Sequence, residues 1–247
     1  MNEIKKAAKM IAGSKNAVAF TGAGISVESG IPTFRGKNGL WNRYNPSFLE
    51  ISYFYSNPAK SWELIKDIFY EYFGKAKPNK AHYFLADLEK RGILSGVITQ
   101  NIDNLHQEAG SKKVIEYHGN SKFLKCIDCG KTFPFTEQRI SSLPPKCDLC
   151  GGILKPDFIF FGEGIPLDAV RETEKLLKKA DLLIVVGTTG EVYPAGLIPV
   201  EAKQKGIGVI EINPEPSRVT PYADIFIPMK ATEAASALEK ELKNLIQ

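Results

Sequence analysis

Four cysteines carry the clearest chemical signal in the chain. Cys126 and Cys129 form one Cys-x-x-Cys pair, and Cys147 and Cys150 form a second. Two residues between cysteines let both thiolates turn toward one ion, and two such knuckles complete a tetrahedral zinc site. Gly130, Gly151 and Gly152 follow the knuckles, where the backbone must turn sharply. The competing readings are two disulfides or redox pairs. Disulfides are disfavoured because nothing marks the chain for export. Four thiolates leave no open position for water, so the expectation is one structural Zn²⁺ that holds a small module together. The chemistry must then lie elsewhere.

The next candidates follow an apolar run at 17–21, which leads into Gly22-Ala23-Gly24-Ile25-Ser26-Val27. Glycines after a parallel strand let the backbone approach a pyrophosphate. The dinucleotide fingerprint wants a third glycine at the position of Val27, and the next one is Gly30. The turn alone therefore leaves dinucleotide binding and a plain tight turn both open. Downstream, Arg35 can reach a phosphate and Phe34 can cover a planar ring. A third cluster, Gln100-Asn101-Ile102-Asp103-Asn104-Leu105-His106, follows an apolar run that ends at Thr99. Its amides and carboxylate suit recognition of ribose hydroxyls and a carboxamide. A capped helix start at Asp103 or Asn101 fits the spacing as well.

An α/β scaffold is needed to bring these residues together. Short β-rich runs at 17–21, 96–99, 181–187, 208–213 and 224–228 alternate with helical patterns at 168–180, 195–205 and Ala231–Ile246. Strand and helix in quick succession imply a parallel sheet wrapped on both faces. The unbroken hydrophobicity of 182–186 suits a strand buried on both sides. The stretches 36–79 and 121–156 break the rhythm and read as inserts.

A length of 247 residues suits one large α/β domain with inserts, and 43% hydrophobic residues suffice for a sizeable core. The net charge of +4 comes without a block of like charges, so nucleic-acid binding is not established. No run approaches the ~20 apolar residues of a membrane span. The first twelve residues read as a short amphipathic helix rather than a signal peptide, which makes the cytoplasm the expected location.

Together these blocks resemble one family. Gly22-Ala23-Gly24-Ile25-Ser26, Gly30-Ile31-Pro32-Thr33-Phe34-Arg35, the Thr99–His106 block and Glu116-Tyr117-His118-Gly119 are similar to the signature blocks of sirtuins, the NAD-dependent protein deacylases. Phe160-Phe161-Gly162-Glu163, Gly187-Thr188-Thr189, Val192-Tyr193-Pro194-Ala195 and Ile212-Asn213-Pro214-Glu215 continue the match across nearly the whole chain. Asn38-Gly39-Leu40-Trp41 looks like the compact bacterial and archaeal members.

The resemblance implies a Rossmann-like NAD-binding domain (1–36, 80–120 and 157–247). It also implies a small domain made of a helical module (37–79) and a zinc ribbon (121–156). NAD as co-substrate and an acetylated protein lysine peptide would enter the cleft between them from opposite sides. Oligomeric state is left open, and nucleic acid would be met only indirectly, through basic protein substrates.

By that resemblance, acetyl-lysine and NAD give lysine, nicotinamide and O-acetyl-ADP-ribose. His118 is the general base for a ribose hydroxyl. Its setting alone favours a hydrogen-bonded core histidine, and the resemblance reverses that. Asn101 orients the ribose and its water, and Gln100 contacts the ribose. Ile102 and Asp103 hold the nicotinamide carboxamide, while Phe34 shields the reactive carbon after nicotinamide leaves. Gly22, Ala23, Gly24, Ser26 and Val27 form the cofactor turn, continued by Thr33, Arg35 and Trp41. Gly187, Thr188 and Thr189, with Asn213, Pro214, Glu215 and Ala231, complete the cofactor side. Ile159, Phe160, Phe161, Gly162 and Glu163 meet the peptide, together with Val192 and Tyr193. His82 and His106 read as structural.

The family's usual Gly-Thr-Ser is Gly187-Thr188-Thr189 here, which keeps the hydroxyl. Glu191 stands where small or apolar residues are more usual, so it is expected to favour basic residues beside the target lysine. Family members that remove acidic acyl groups carry a Tyr and an Arg at the places of Ile65 and Ile68, so an apolar acyl pocket is expected. The rival readings are mono-ADP-ribosyl transfer, a hydride-transfer dehydrogenase, and a zinc-ribbon nucleic-acid-binding protein.

Overall fold

The computed structural model describes residues 2–36 and 39–246, with Tyr72 and Ile246 described by backbone alone. Lys37 and Asn38, which fall in the expected helical module and the Asn38–Trp41 block, lie outside the described residues, as do Met1 and Gln247.

Among the described residues the centre is a six-stranded parallel sheet. Its spatial order is β3 (Val114–Glu116), β2 (Leu94–Thr99), β1 (Ala17–Thr21), β7 (Leu182–Val186), β8 (Gly208–Ile212) and β9 (Ile225–Ile227). Alternation along each strand feeds two cores. Ala17, Ala19, Ile184 and Ile210 pack under α1 (Asn2–Gly13), α4 (Lys80–Lys90) and α8 (Ala231–Ile246). Val18, Phe20, Leu183 and Val209 pack under α6 (Leu167–Lys179) and α7 (Ile198–Gln204). Every residue of β7 is buried, as its unbroken apolar run implies. The helix expected over 195–205 opens as a 3-10 turn at Ala195–Leu197 before α7, with Pro199 in the first turn.

The second body is an antiparallel three-stranded sheet, β5 (Thr132–Pro134), β4 (Gly119–Cys126) and β6 (Leu154–Phe158). The expected module limits at 121 and 156 fall inside β4 and β6. Helices α2 (Ile51–Ser56) and α3 (Pro58–Ile65) lie against it, and α3 passes into a π-helical turn at Lys66–Tyr72. Side-chain contacts join helices to ribbon. Trp62 Nε1 donates to Leu154 O at 2.8 Å, and the Tyr70 ring stacks between Trp62 and Phe135. A core containing Phe48, Phe54, Trp62, Phe69, Phe158 and Phe160 unites the two parts. Short α5 (Leu105–Glu108) follows β2 at the junction.

Candidate active site and metal centre

The strands β1, β2, β7 and β8 end side by side, and the residues just beyond them, Gly22, Gln100, Gly187 and Asn213, line one cavity of about 420 Å³. Ligands of open parallel sheets bind at this edge. The opposite wall is apolar and comes from the second body, with Phe34, Trp41, Leu49, Phe69, Phe158 and Phe160.

The glycines of the first turn are needed first by the loop after β7. A Cβ on Gly22 would lie 2.8 Å from Gly187 O, and one on Gly24 would lie 2.6 Å from Gly187 Cα. Gly24 N donates to Gly187 O at 2.8 Å, and Gly187 itself is left-handed at φ 65°. The missing third glycine has a structural reason. The turn continues as a 3-10 segment, Ala23–Ser29, rather than as a long α-helix packed on the strand. Val27 is therefore free to carry a side chain and stands at the cavity, 45% exposed.

Behind the polar wall runs a buried network. Asn101 N donates to Thr99 Oγ1, and Asn101 Nδ2 donates to Gly22 O at 3.2 Å and Ser26 Oγ at 3.3 Å. Ser26 Oγ donates to Asp103 at 2.7 Å. Gln100 Nε2 donates to Thr188 Oγ1 at 2.9 Å, and Asn213 Nδ2 donates to Thr188 O at 2.8 Å, which locks three strand ends together.

His118 lines the cavity, with Nδ1 3.1 Å from Gln100 O. A carbonyl can only accept, so Nδ1 carries the proton and Nε2 keeps its lone pair. Burial holds the pKa of this imidazole below 6.5, while the bond to Gln100 O opposes the shift. A neutral ring with a free Nε2 can accept a proton from a hydroxyl in the cavity.

The four cysteines converge as the spacing implies. Their sulfurs all lie within 4.8 Å of one another, with Cys126 to Cys150 at 3.5 Å and Cys129 to Cys147 at 3.7 Å. A tetrahedral zinc with bonds of about 2.3 Å puts neighbouring sulfurs about 3.8 Å apart, so the donor set fits Zn²⁺. All four are free thiols, which removes the disulfide reading. Cys129 N donates to Cys126 Sγ, and Gly130 N and Gly151 N close their knuckles on Cys126 O and Cys147 O.

Comparison with known proteins agrees with this architecture. The Sir2 family model matches residues 22–194. The chain belongs to the Sir2 family. A Pyrococcus abyssi NAD-dependent protein deacylase is 48% identical over 250 residues, covering 99% of this chain and 100% of that protein. A Sir2 homologue–NAD complex superposes with a TM-score of 0.91 at 42% identity, covering 98% of this chain and 95% of that one. A Sir2 bound to deacetylated p53 peptide and 3′-O-acetyl ADP-ribose gives 0.91 at 38% identity, covering 96% and 98%.

Most of the residues that the sirtuin resemblance picked out line the Sir2 cavity. They include Gly22, Ala23, Gly24, Val27, Thr33 and Arg35 on one side. Thr188, Thr189, Pro214 and Ala231 line the strand ends, and Ile159 to Glu163 with Val192 and Tyr193 line the far rim.

Three expected cofactor residues stand apart from that lining. Ser26 is fully buried under the turn, and Glu215 is exposed to solvent. Asp103 turns its carboxylate to Ser26 and to Leu105 N, the first amide of α5, whose cap residue is Asn104 with no side-chain cap bond. Burial raises its pKa, with those two bonds opposing. Asp103 borders a neighbouring cavity that also touches Ile102 and Phe69.

The two residues on which the acyl-pocket expectation rested lie off the lining. Ile65 and Ile68 are 0% and 3% exposed in the small-domain core, and neither lines the cavity. The apolar wall there is Leu49, Phe69, Phe158 and Phe160. Glu191 lies 3.7 Å from Arg218, which offsets the charge expected to attract basic peptide residues.

Sequence reasoning missed Glu28, Leu49, Phe69, Phe158, Ile165, Pro194 and Lys230 on the lining. Glu28 adjoins Val27 and caps the start of α8 through Thr232 N and Oγ1, a pairing across the fold with no local signal. His82 and His106 are buried side by side, with ring centroids 5.0 Å apart, and away from the cavity lining.

Proposed function

We propose that the chain is an NAD-dependent protein lysine deacetylase, with His118 as general base. The observation that carries this reading is the His118 geometry. A neutral imidazole, fixed by Gln100 O with Nε2 unprotonated, stands where a polar strand-end wall meets an apolar wall. A Sir2 relative is named for NAD-dependent deacylation, and another binds acetyl ADP-ribose with a deacetylated peptide.

NAD, when bound, supplies nicotinamide as a leaving group and a ribose hydroxyl that takes up the acetyl group. Gly22, Gly24, Thr188 and Asn213 would hold its phosphates and adenosine half. Asn101 and Gln100 would orient the reacting ribose, and Phe34 would exclude water from it. His118 Nε2 would take the hydroxyl proton. The acyl-lysine would run along the strap 160–163 with Val192 and Tyr193, its acyl end against Leu49, Phe69, Phe158 and Phe160. Cys126, Cys129, Cys147 and Cys150 would hold one Zn²⁺ that shapes the ribbon and stays outside the chemistry.

The two-part division at 1–36, 80–120 and 157–247 against 37–79 and 121–156 is our reading of the domains. No described helix is long and apolar enough to cross a membrane. Four free thiols around one site suit a reducing compartment, so we place the protein in the cytoplasm.

The test is mass spectrometry of an acetyl-lysine peptide with and without NAD, with nicotinamide measured alongside. Loss of 42 Da, the approximate mass of an acetyl group in exchange for hydrogen, should require NAD, and nicotinamide release should require the acetyl peptide. Nicotinamide release with the acetyl group retained would favour mono-ADP-ribosyl transfer instead. No release at all would overturn the enzymatic reading.

A further inference from the structure

Lys155 on β6 has a side chain only 9% exposed, and the chemistry above does not use it. An ammonium group has three protons to donate. Here they meet Pro156 O at 3.0 Å, Phe158 O at 2.6 Å and Glu163 Oε2 at 3.0 Å. Full hydrogen bonding plus one opposite charge is the condition under which a lysine tolerates burial. Its Nζ also lies 4.1 Å from the centroid of the Phe160 ring.

The same Glu163 oxygen accepts from Phe160 N at 2.7 Å, so one carboxylate ties the ammonium to the strap 160–163. The far side of that strap is pinned to the helical module. Phe161 N donates to Leu49 O, and Ile51 N donates to Phe161 O. Behind Lys155, β6 pairs with β4 so that Leu154 faces the metal-site residue Cys126. Lys155 thus sits where the ribbon, the strap and the aromatic wall of the cavity meet.

We propose that Lys155 is a positioning residue which, through Glu163, holds the strap 160–163 in register for the acyl-lysine peptide and so links the zinc ribbon to peptide binding. This rests on the deacetylase reading. An apolar side chain at 155 would leave the Glu163 carboxylate without its counter-charge and two carbonyls without donors. The strap would then lose its anchor on the ribbon side. The strand ends that would bind NAD make no hydrogen bond to Lys155 or Glu163, so the damage should fall on peptide and spare NAD.

The experiment compares wild type, Lys155→Met and Lys155→Arg as full-length zinc-loaded proteins. Peptide-dependent nicotinamide release by the wild type is measured first, and its absence would sink the deacetylase reading itself. With that activity in hand, Lys155→Met should raise the peptide KM about tenfold or more while the NAD KM stays within about twofold. Lys155→Arg keeps charge and donors and should recover most of the loss. Hydrogen exchange, which needs no substrate, should show the Phe161 and Ile51 amides exchanging faster in Lys155→Met, with zinc content unchanged. An unchanged peptide KM, or equal rises in both KM values with no rescue by arginine, would overturn the proposal. If Lys155→Met fails to fold, Glu163→Gln decides by the same split together with faster exchange of the Phe161 and Ile51 amides, because Glu163 itself lines the peptide side. This variant keeps the size and an acceptor but removes the charge, so the peptide KM should rise alone. A rise in both KM values, or in neither, would overturn the idea.

Discussion

The proton on His118 Nδ1 belongs to the bond with Gln100 O, which leaves Nε2 as the proposed base. Because burial holds its pKa below 6.5, the active neutral form should persist to more acid pH than free imidazole allows. The acid limb of kcat/KM against pH should therefore have its midpoint below 6.5, and a midpoint above it would remove His118 from this role. His118→Ala should lower turnover by about 10²- to 10⁴-fold with NAD affinity retained. The other two histidines act on stability instead. Burial lowers the pKa of His82 to about 4 and, with His82 as a lesser cause, that of His106 to about 3. Their folded pKa values lie below the unfolded value of 6.5, so the unfolded chain binds more protons in between. The stability they contribute is present above pH 6.5 and is lost as pH falls toward 4. Each such histidine steepens that decline by up to about 1.4 kcal/mol per pH unit. His106→Gln should flatten the slope of unfolding free energy between pH 6.5 and 4.5, and an unchanged slope would contradict the assignment. The cysteines were legible from local spacing, and the polar cavity residues from the sirtuin resemblance. The orientation of Asp103 was not, since Leu105 N and Ser26 Oγ compete with the cavity for its carboxylate.

Among the elements, the strands and helices of the sheet were legible because their apolar periods match the faces they bury. The first turn was legible as a turn and misleading as a fingerprint. Its glycines answer to the loop after β7, a contact between residues more than 160 positions apart. That contact gives a sharp test. Gly187→Ala adds a Cβ against Gly24 and the Ile25 backbone at a left-handed φ, which costs ~1–2 kcal/mol for conformation alone and more for the overlap. Thermal unfolding should show a fall of at least about 2 kcal/mol, with NAD binding weakened. Gly13→Ala, with nothing within 4 Å of the new atom, should stay within about 0.5 kcal/mol of wild type. Equal effects at the two sites would show that the backbone approach is soft. The π-helical turn at Lys66–Tyr72 had no legible signal, because its extra residue per turn is set by packing of Phe69 and Tyr70 against the ribbon.

At the scale of the whole molecule, a cavity lies between a sheet that orders itself by hydrophobic burial and a small body organised around four thiols. Removing the metal should therefore act on the second body first. Cys126→Ala, or chelation, should lower stability and abolish deacetylation, with about one zinc per chain in active protein. Active protein holding less than half an equivalent would contradict the site. On the deacetylase reading, the apolar wall would set the choice of acyl group. Sequence placed that choice on Ile65 and Ile68, but the lining belongs to Leu49, Phe69, Phe158 and Phe160, which the approach of the 3-10 turn Pro46–Leu49, the π-helical turn, β6 and the strap brings together. The buried cation nearest that wall, Lys155, already has all three donors engaged and its charge matched by Glu163. A succinyl carboxylate entering there would lose water and find no free partner, a cost of several kcal/mol. An acetyl methyl meets the same wall at no such cost. The kcat/KM for an acetyl-lysine peptide should exceed that for the same peptide succinylated by at least about a hundredfold, the ratio set by ~2.7 kcal/mol of transition-state difference. Comparable efficiencies would mean that a cavity cation, with Arg35 as the first to test by Arg35→Ala, reaches the acyl end and that the wall is not the selector.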